Sequence, residues 1–156
     1  MKEITIHTDG ACSLQHGGAG GWCAILRFQN KEKIISGGDS GTTNNRMELL
    51  AVIRGLQELK EPCKVKLYSD SKYILDPING NLKKWVLKGL DNYKNPDLWR
   101  EYIEAAWPHE ITGIWVKGHS GHPLNEMCDK IAVKEAEKYK KVHKKSTANV
   151  NKAPFE

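Results

Sequence analysis

No apolar run in this 156-residue chain approaches the ~20 residues that a membrane-spanning helix requires, and the opening MKEITIHTDG lacks the long apolar stretch of a secretory signal. Both absences point to a soluble, cytosolic protein. The four cysteines, at 12, 23, 63 and 128, include no CxxC pair and keep no regular spacing. That pattern argues against a zinc knuckle and against a disulfide framework, and leaves reduced, structural thiols. Internal repeats are missing too. What remains is a 17.6 kDa chain with 39% apolar residues, enough for one domain with a real core.

The formal charge of +5 is unevenly placed, because residues 140–156 carry five lysines against the single acid Glu156. The body of the chain, residues 1–139, is close to neutral. If its acids gather at one place, the surface left over is basic, and a negative pit in a positive surround suits a metal-dependent enzyme acting on a polyanion.

Ile4 and Ile6 alternate with Thr5 and His7, which predicts a first strand stopped at Asp9-Gly10. Residues 20–28 and 33–36 then continue an antiparallel meander. Leu49, Val52, Ile53, Leu56 and Leu59 fall at helical spacing and predict an amphipathic helix from about 44 to 60, ended before Pro62. A short strand at 65–69 follows, then a helix capped by Ser71 and interrupted at Pro77 and Gly80. Residues 82–88 predict a short basic helix. Asp97 is placed to cap a segment reaching Trp107, residues 111–116 a fifth strand, and Pro123 the start of a last helix. The lysine-rich stretch 143–156 loses apolar periodicity and reads as a disordered tail, so the domain is expected to occupy 1–142. The order βββ-α-β-α-α-β-α implies an α/β protein with a five-stranded mixed sheet flanked by helices, three strands antiparallel and two parallel. Its first and fourth strands would be parallel neighbours, which brings Asp9 and Asp70 to the same carboxyl edge from topology alone.

Four acids stand at element boundaries inside distinctive strings: Asp9 in TDGACS, Glu48 in TTNNRMEL, Asp70 in YSDSKYI and Asp129 in NEMCDKIA. Each taken singly has an ordinary explanation, such as a capping box from Asn45 to Glu48 or a turn at Asp9-Gly10. Brought together, their mutual repulsion is relieved by divalent cations, and the chemistry that follows is attack on a phosphate ester. Asp9, leaving the central strand, is the candidate for a ligand shared by two ions.

With TDG ending the first strand, TTNNRMEL opening the first helix, SDS ending the fourth strand and WVKGHSGHPLNEMCD before the last helix, residues 1–139 closely resemble type 1 ribonuclease H. The resemblance implies the ribonuclease H-like fold and a monomeric endonuclease that cuts the RNA strand of an RNA/DNA hybrid, leaving 5′-phosphate and 3′-hydroxyl ends. It implies two Mg²⁺ ions, with Mn²⁺ as a possible substitute, on Asp9, Glu48, Asp70 and Asp129. His119 of GHSGH would assist proton transfer or product release. Asn44 and Asn45, with Gly10 and the loop to Ser13, match residues that read the RNA 2′-hydroxyl. Thr43 and Asn95 match a pocket for a DNA-strand phosphate, and Lys83, Lys84 and Lys88 around Trp85 match a basic protrusion that grips the DNA strand by charge and stacking.

This chain departs from the family pattern at Gly41, where an arginine often supports the phosphate pocket, at residues 13–17, and at residues 76–80 before the protrusion. These differences bear on affinity rather than on cleavage. Two competing classes are a noncatalytic hybrid-binding module on the same scaffold and a DNA-cutting integrase or junction resolvase. Retention of all four acids disfavours the first, and TTNNRMEL disfavours the second.

Overall fold

A computed structural model describes residues 1–118 and 121–148, with residues 141–148 described as backbone only. Five strands, β1 (Lys2–Ser13), β2 (Ala19–Phe28), β3 (Lys31–Asp39), β4 (Cys63–Ser69) and β5 (Glu110–Trp115), form one sheet in the order β3-β2-β1-β4-β5. The β1–β2 and β2–β3 pairs are antiparallel, and the β1–β4 and β4–β5 pairs are parallel. The helices are α1 (Asn44–Gln57), α2 (Lys72–Asp76), α3 (Leu82–Lys88), α4 (Pro96–Ala106) and α5 (Pro123–Ala148). None of the described helices is long and apolar enough to cross a membrane.

Residue alternation decides which face each helix covers. Along β2, Ala24 and Leu26 join the main core with Ile6, Leu49, Val52, Ile53, Leu67 and Trp99, whereas Cys23 and Ile25 join Cys128 and Ala132 of α5 on the other side. β2 is therefore buried on both faces over most of its length. β4 instead alternates buried Cys63, Val65 and Leu67 with exposed Lys64 and Lys66, because α5 packs mainly across β1, β2 and β3. Full burial of each large apolar side chain contributes about 1.5–3 kcal/mol, so the double-sided packing of β1 and β2 makes the middle of the sheet a rigid platform.

Four elements differ from their sequence-based expectation. β1 is not stopped at Asp9-Gly10; it runs to Ser13, with Asp9 opposite Cys23 and Gly10 opposite Trp22. The reason is tertiary: β2 keeps pairing with β1 past the end of β4. Asp97 is not the cap of α4, since Asn95 occupies that place in the left-handed region (φ 57°, ψ 45°) with Pro96 next, and Asp97 turns to Arg46. Ser71 stands at the cap of α2, but its side chain makes no capping hydrogen bond. The backbone of α5 stays helical to Ala148, past the expected boundary at 142, because extending an established helix requires far less than starting one. Residues 149–156 lie outside the described residues.

Gly10 is where β1 and the start of α1 approach each other closely. A Cβ placed there would lie 2.4 Å from the Glu48 backbone nitrogen and 2.6 Å from the Met47 carbonyl carbon. Backbone cannot yield as a flexible side chain would, so Gly10→Ala is expected to destabilise the protein by roughly 1–3 kcal/mol. Urea unfolding at fixed pH measures this, and an unchanged midpoint would contradict the close approach.

Candidate active site

The parallel pairing of β1 with β4 ends at His7 opposite Tyr68. Asp9 comes two residues after that last pair on β1, and Asp70 directly follows Ser69, the end of β4. Gly10 then lets the start of α1 sit directly over β1, which delivers Glu48 to the same point. One oxygen from each of Asp9, Glu48 and Asp70 lies within 4.8 Å of the others. Three of the four expected carboxylates are therefore together.

Asp129 is the exception. It lies half-buried on α5, near enough for its charge to act on Asp9, but it is not a member of the close trio. Its neighbour Cys128 fixes this part of α5 to the sheet, with the thiol 3.1 Å from the Cys23 carbonyl and 3.5 Å from that of His7. All four cysteines are free thiols, as their spacing suggested.

Asp9 and Glu48 are each only 4% exposed. Burial, then the charges of Asp70 and Asp129, push the Asp9 carboxyl up to about 7, against the lowering effect of hydrogen bonds from Glu48 and the Gly10 N–H at 2.9 Å. Glu48 is held well above the usual carboxylate range by its own burial, by giving its hydrogen bond to Asp9, and by the Asp9 and Asp70 charges. Glu48 thus keeps the proton the pair shares, while its Oε1 is buried with no partner among the described residues. A buried carboxylate oxygen left unsatisfied beside two further carboxylates fits a hard divalent cation, which takes oxygen ligands and cancels the repulsion. The capping-box alternative for Glu48 is not realised, since the cap of α1 is Thr43, accepting from the Arg46 N–H at 3.2 Å.

Beneath the trio, the His7 ring stacks on Tyr68 with centroids 4.5 Å apart, and His122 lies 5.2 Å from His7. Burial and the nearby His122 and Arg27 lower His7 to about 4, so it is a neutral, space-filling ring. Gly118 passes close to Asp70, and a Cβ placed there would lie only 3.0 Å from Oδ2. His119, expected to assist proton transfer or product release, lies with Ser120 outside the described residues.

Among the expected substrate residues, Thr43, Asn44 and Asn45 are exposed together at the start of α1. Gly10 to Ser13 are strand, not loop. The turn between β1 and β2 is tied to the stretch just before α1 by Gly41 N–H to the Gly17 carbonyl and Thr42 N–H to the Gly18 carbonyl, each 3.0 Å. Lys83, Lys84 and Lys88 lie on α3, and all three are exposed. Trp85 is not free for stacking on both faces: its ring stacks on Tyr93 at 4.6 Å and meets Trp99 edge-on at 5.7 Å. One further feature had no signal in local spacing, a bidentate pair of Arg46 with Asp97. A cavity of about 830 Å³ lies between α3, the end of α4 and β5, and of the expected site residues it contains only Lys83.

A compact set of carboxylates over the carboxyl ends of two parallel strands, in a β3-β2-β1-β4-β5 sheet, defines the class of α/β protein to which this molecule is assigned. The RNase H family model matches residues 1–137. A ribonuclease H of Campylobacter concisus is 50% identical over 144 residues, covering 92% of this chain and 99% of its own length. A ribonuclease HI of Helicobacter pylori is 51% identical over 138 residues, covering 88% of this chain and 96% of its own. The crystal structure of LC9-RNase H1, described as a type 1 RNase H with the type 2 active-site motif, superimposes with a TM-score of 0.81. At 24% identity, over 89% of this chain and 74% of that one, it supports the fold. The chain belongs to the RNase H family.

The carboxyl shifts have a definite sign. A carboxyl raised in the folded state holds more protons there than when unfolded, so its contribution to stability is present below about pH 4 and is lost as pH rises through about 7. Without divalent cations, Asp9→Asn should therefore be more stable than wild type by about 1–3 kcal/mol at pH 8, with the difference vanishing near pH 4. His7 contributes with the opposite pH trend but is common to both proteins and cancels. Denaturant unfolding in chelator at the two pH values checks this; a destabilised Asp9→Asn at pH 8 would contradict it.

Proposed function

We propose that this protein hydrolyses the RNA strand of RNA/DNA hybrids internally, leaving 5′-phosphate and 3′-hydroxyl ends, with two divalent cations, Mg²⁺ or Mn²⁺, held by Asp9, Glu48, Asp70 and Asp129. The observation that carries this reading is the convergence of Asp9, Glu48 and Asp70, with Glu48 Oε1 buried and unpartnered among the described residues. Its relatives' name, ribonuclease H, supplies the substrate class. When bound, such cations lower the pKa of an attacking water and stabilise the charge on a departing oxygen.

The chain's own residues do the rest. Asp9 sits in the doubly packed part of β1, Glu48 in α1, and Asp70 one residue past the end of β4, so regular elements anchor the trio. Loss of the proton shared by Asp9 and Glu48 readies the pair for cations, and Asp129, outside the trio, completes the donor set from α5. His119 is assigned proton transfer or product release from its GHSGH string alone. Asn44 and Asn45 offer side-chain amides to the RNA 2′-hydroxyl beside Gly10. Thr43 and Asn95 hold a phosphate of the DNA strand, and Lys83, Lys84 and Lys88 attract that strand by charge, with Trp85 in a supporting role.

Labelled RNA/DNA hybrid, RNA duplex and DNA duplex of one sequence, incubated with and without Mg²⁺, test the reading. The expected result is cleavage of the RNA strand in the hybrid alone, only with the cation. Asp70→Asn should lower turnover by roughly 10³-fold while hybrid affinity stays within about threefold. Cleavage of the DNA duplex, or undiminished turnover in Asp70→Asn, would overturn it.

A further inference from the structure

Two side chains proposed above to hold a DNA-strand phosphate, Thr43 and Asn95, come from elements far apart in sequence, and one residue ties them together. The Arg46 backbone N–H donates to Thr43 Oγ1 at 3.2 Å, and its guanidinium Nη1 donates to Asn95 Oδ1 at 3.1 Å. The same guanidinium is itself held by Asp97, at 3.0 Å to Oδ1 and 2.7 Å to Oδ2. From the other side Asn95 Nδ2 donates to the Tyr73 hydroxyl at 2.8 Å, and Trp99 Nε1 donates to that hydroxyl at 3.3 Å.

The donor inventory gives this arrangement a direction. A guanidinium can only donate, so it fixes which end of the Asn95 amide is oxygen and which is NH₂. With Oδ1 occupied and one N–H committed to Tyr73, a single amide N–H remains for a ligand. Thr43 is in the same condition: its oxygen accepts from Arg46 N–H, leaving its O–H to donate. Two donors are thus left, aimed by the same residue. Asn95 also adopts a left-handed backbone (φ 57°), a conformation asparagine tolerates better than most residues. Gly41, exposed with nothing within 4 Å of a Cβ there, adds no positive charge.

We infer that Arg46 is a positioning residue, which orients Asn95 for the DNA-strand phosphate and does not contact that phosphate itself. The inference rests on the hybrid-cleaving reading and on the phosphate role of Thr43 and Asn95 within it. The Arg46 charge is already matched by Asp97, and the pair is partly exposed, with side chains 33% and 59% accessible. Exposed pairs of this kind add little to stability, so a change in substrate binding can be separated from a change in folding.

The test is hybrid cleavage at several salt concentrations by Asn95→Ala, Arg46→Met, Arg46→Lys and the double variant Arg46→Met/Asn95→Ala, each checked by thermal melting. Asn95→Ala should raise KM roughly tenfold with kcat within about twofold, as for one lost phosphate hydrogen bond. Arg46→Met should reproduce that split, and the double variant should be no worse than Asn95→Ala, the mark of action through one residue. Arg46→Lys, which keeps the charge but not the fork, should resemble Arg46→Met, and the salt slope should be the same for Arg46→Met and Asn95→Ala. Wild-type KM in Arg46→Lys together with a salt slope lower by about one in Arg46→Met would overturn the inference, because Arg46 would then be a direct phosphate contact. Additive effects in the double variant would overturn it as well. An unchanged KM in Asn95→Ala would instead remove the phosphate role of Asn95, and the inference with it.

Discussion

Negative charge crowded into a nearly dry place is the constraint on which this molecule turns. Asp9 and Glu48 are almost fully buried and Asp70 stands within 4.8 Å of them, an arrangement that opposes folding whenever the groups are ionised and unpaired. The sheet tolerates it because β1 and β2 are packed on both faces, and because proton sharing between Asp9 and Glu48 removes one charge in the absence of cations. The same feature that costs stability is the one that suits the site to a hard cation.

Around this pit the residues proposed to recognise the substrate lie on separate elements. The start of α1 carries Thr43, Asn44 and Asn45, the turn before α4 carries Asn95, and α3 carries a cluster of lysines. The cavity beside α3 is not lined by any of the carboxylates, and the substrate proposed is a polymer that lies across a surface instead of entering a pocket. Since Asp9, Glu48 and Asp129 lie within β1, α1 and α5 and Asp70 directly follows β4, whereas the residues proposed for recognition lie mostly in the first turns of helices, the two sets can vary independently. Changes at Gly41 or residues 13–17 alter the surround without reaching Asp9.

The convergence of Asp9 and Asp70 was legible in the sequence because it follows from strand order: a helical crossover makes neighbours parallel, and parallel neighbours share a carboxyl edge. Glu48 was legible only within its string, since local spacing alone suits a cap equally well. What the sequence could not show is partner choice across the fold. Asp97 has a good local reason to cap α4, but Arg46, 51 residues earlier, claims it. Trp85 has a good composition for stacking on a nucleic acid, but Tyr93 covers one face. Asp9-Gly10 looks like a turn until β2 is seen to continue alongside it. In each case a long-range contact outweighed a local preference.

The central claim is that the clustered carboxyls hold protons which divalent cations displace. Carbon-detected NMR titration of the Asp9 and Glu48 side-chain carboxyls, with chelator and again with saturating Mg²⁺, measures it directly. The account predicts that without cations the pair titrates in two steps, the Asp9 step near pH 7 and the other well above the usual carboxylate range, and that Mg²⁺ brings both down towards ordinary values. Two carboxyls that titrate near the ordinary carboxylate pH of about 4 without cations and do not respond to Mg²⁺ would contradict it.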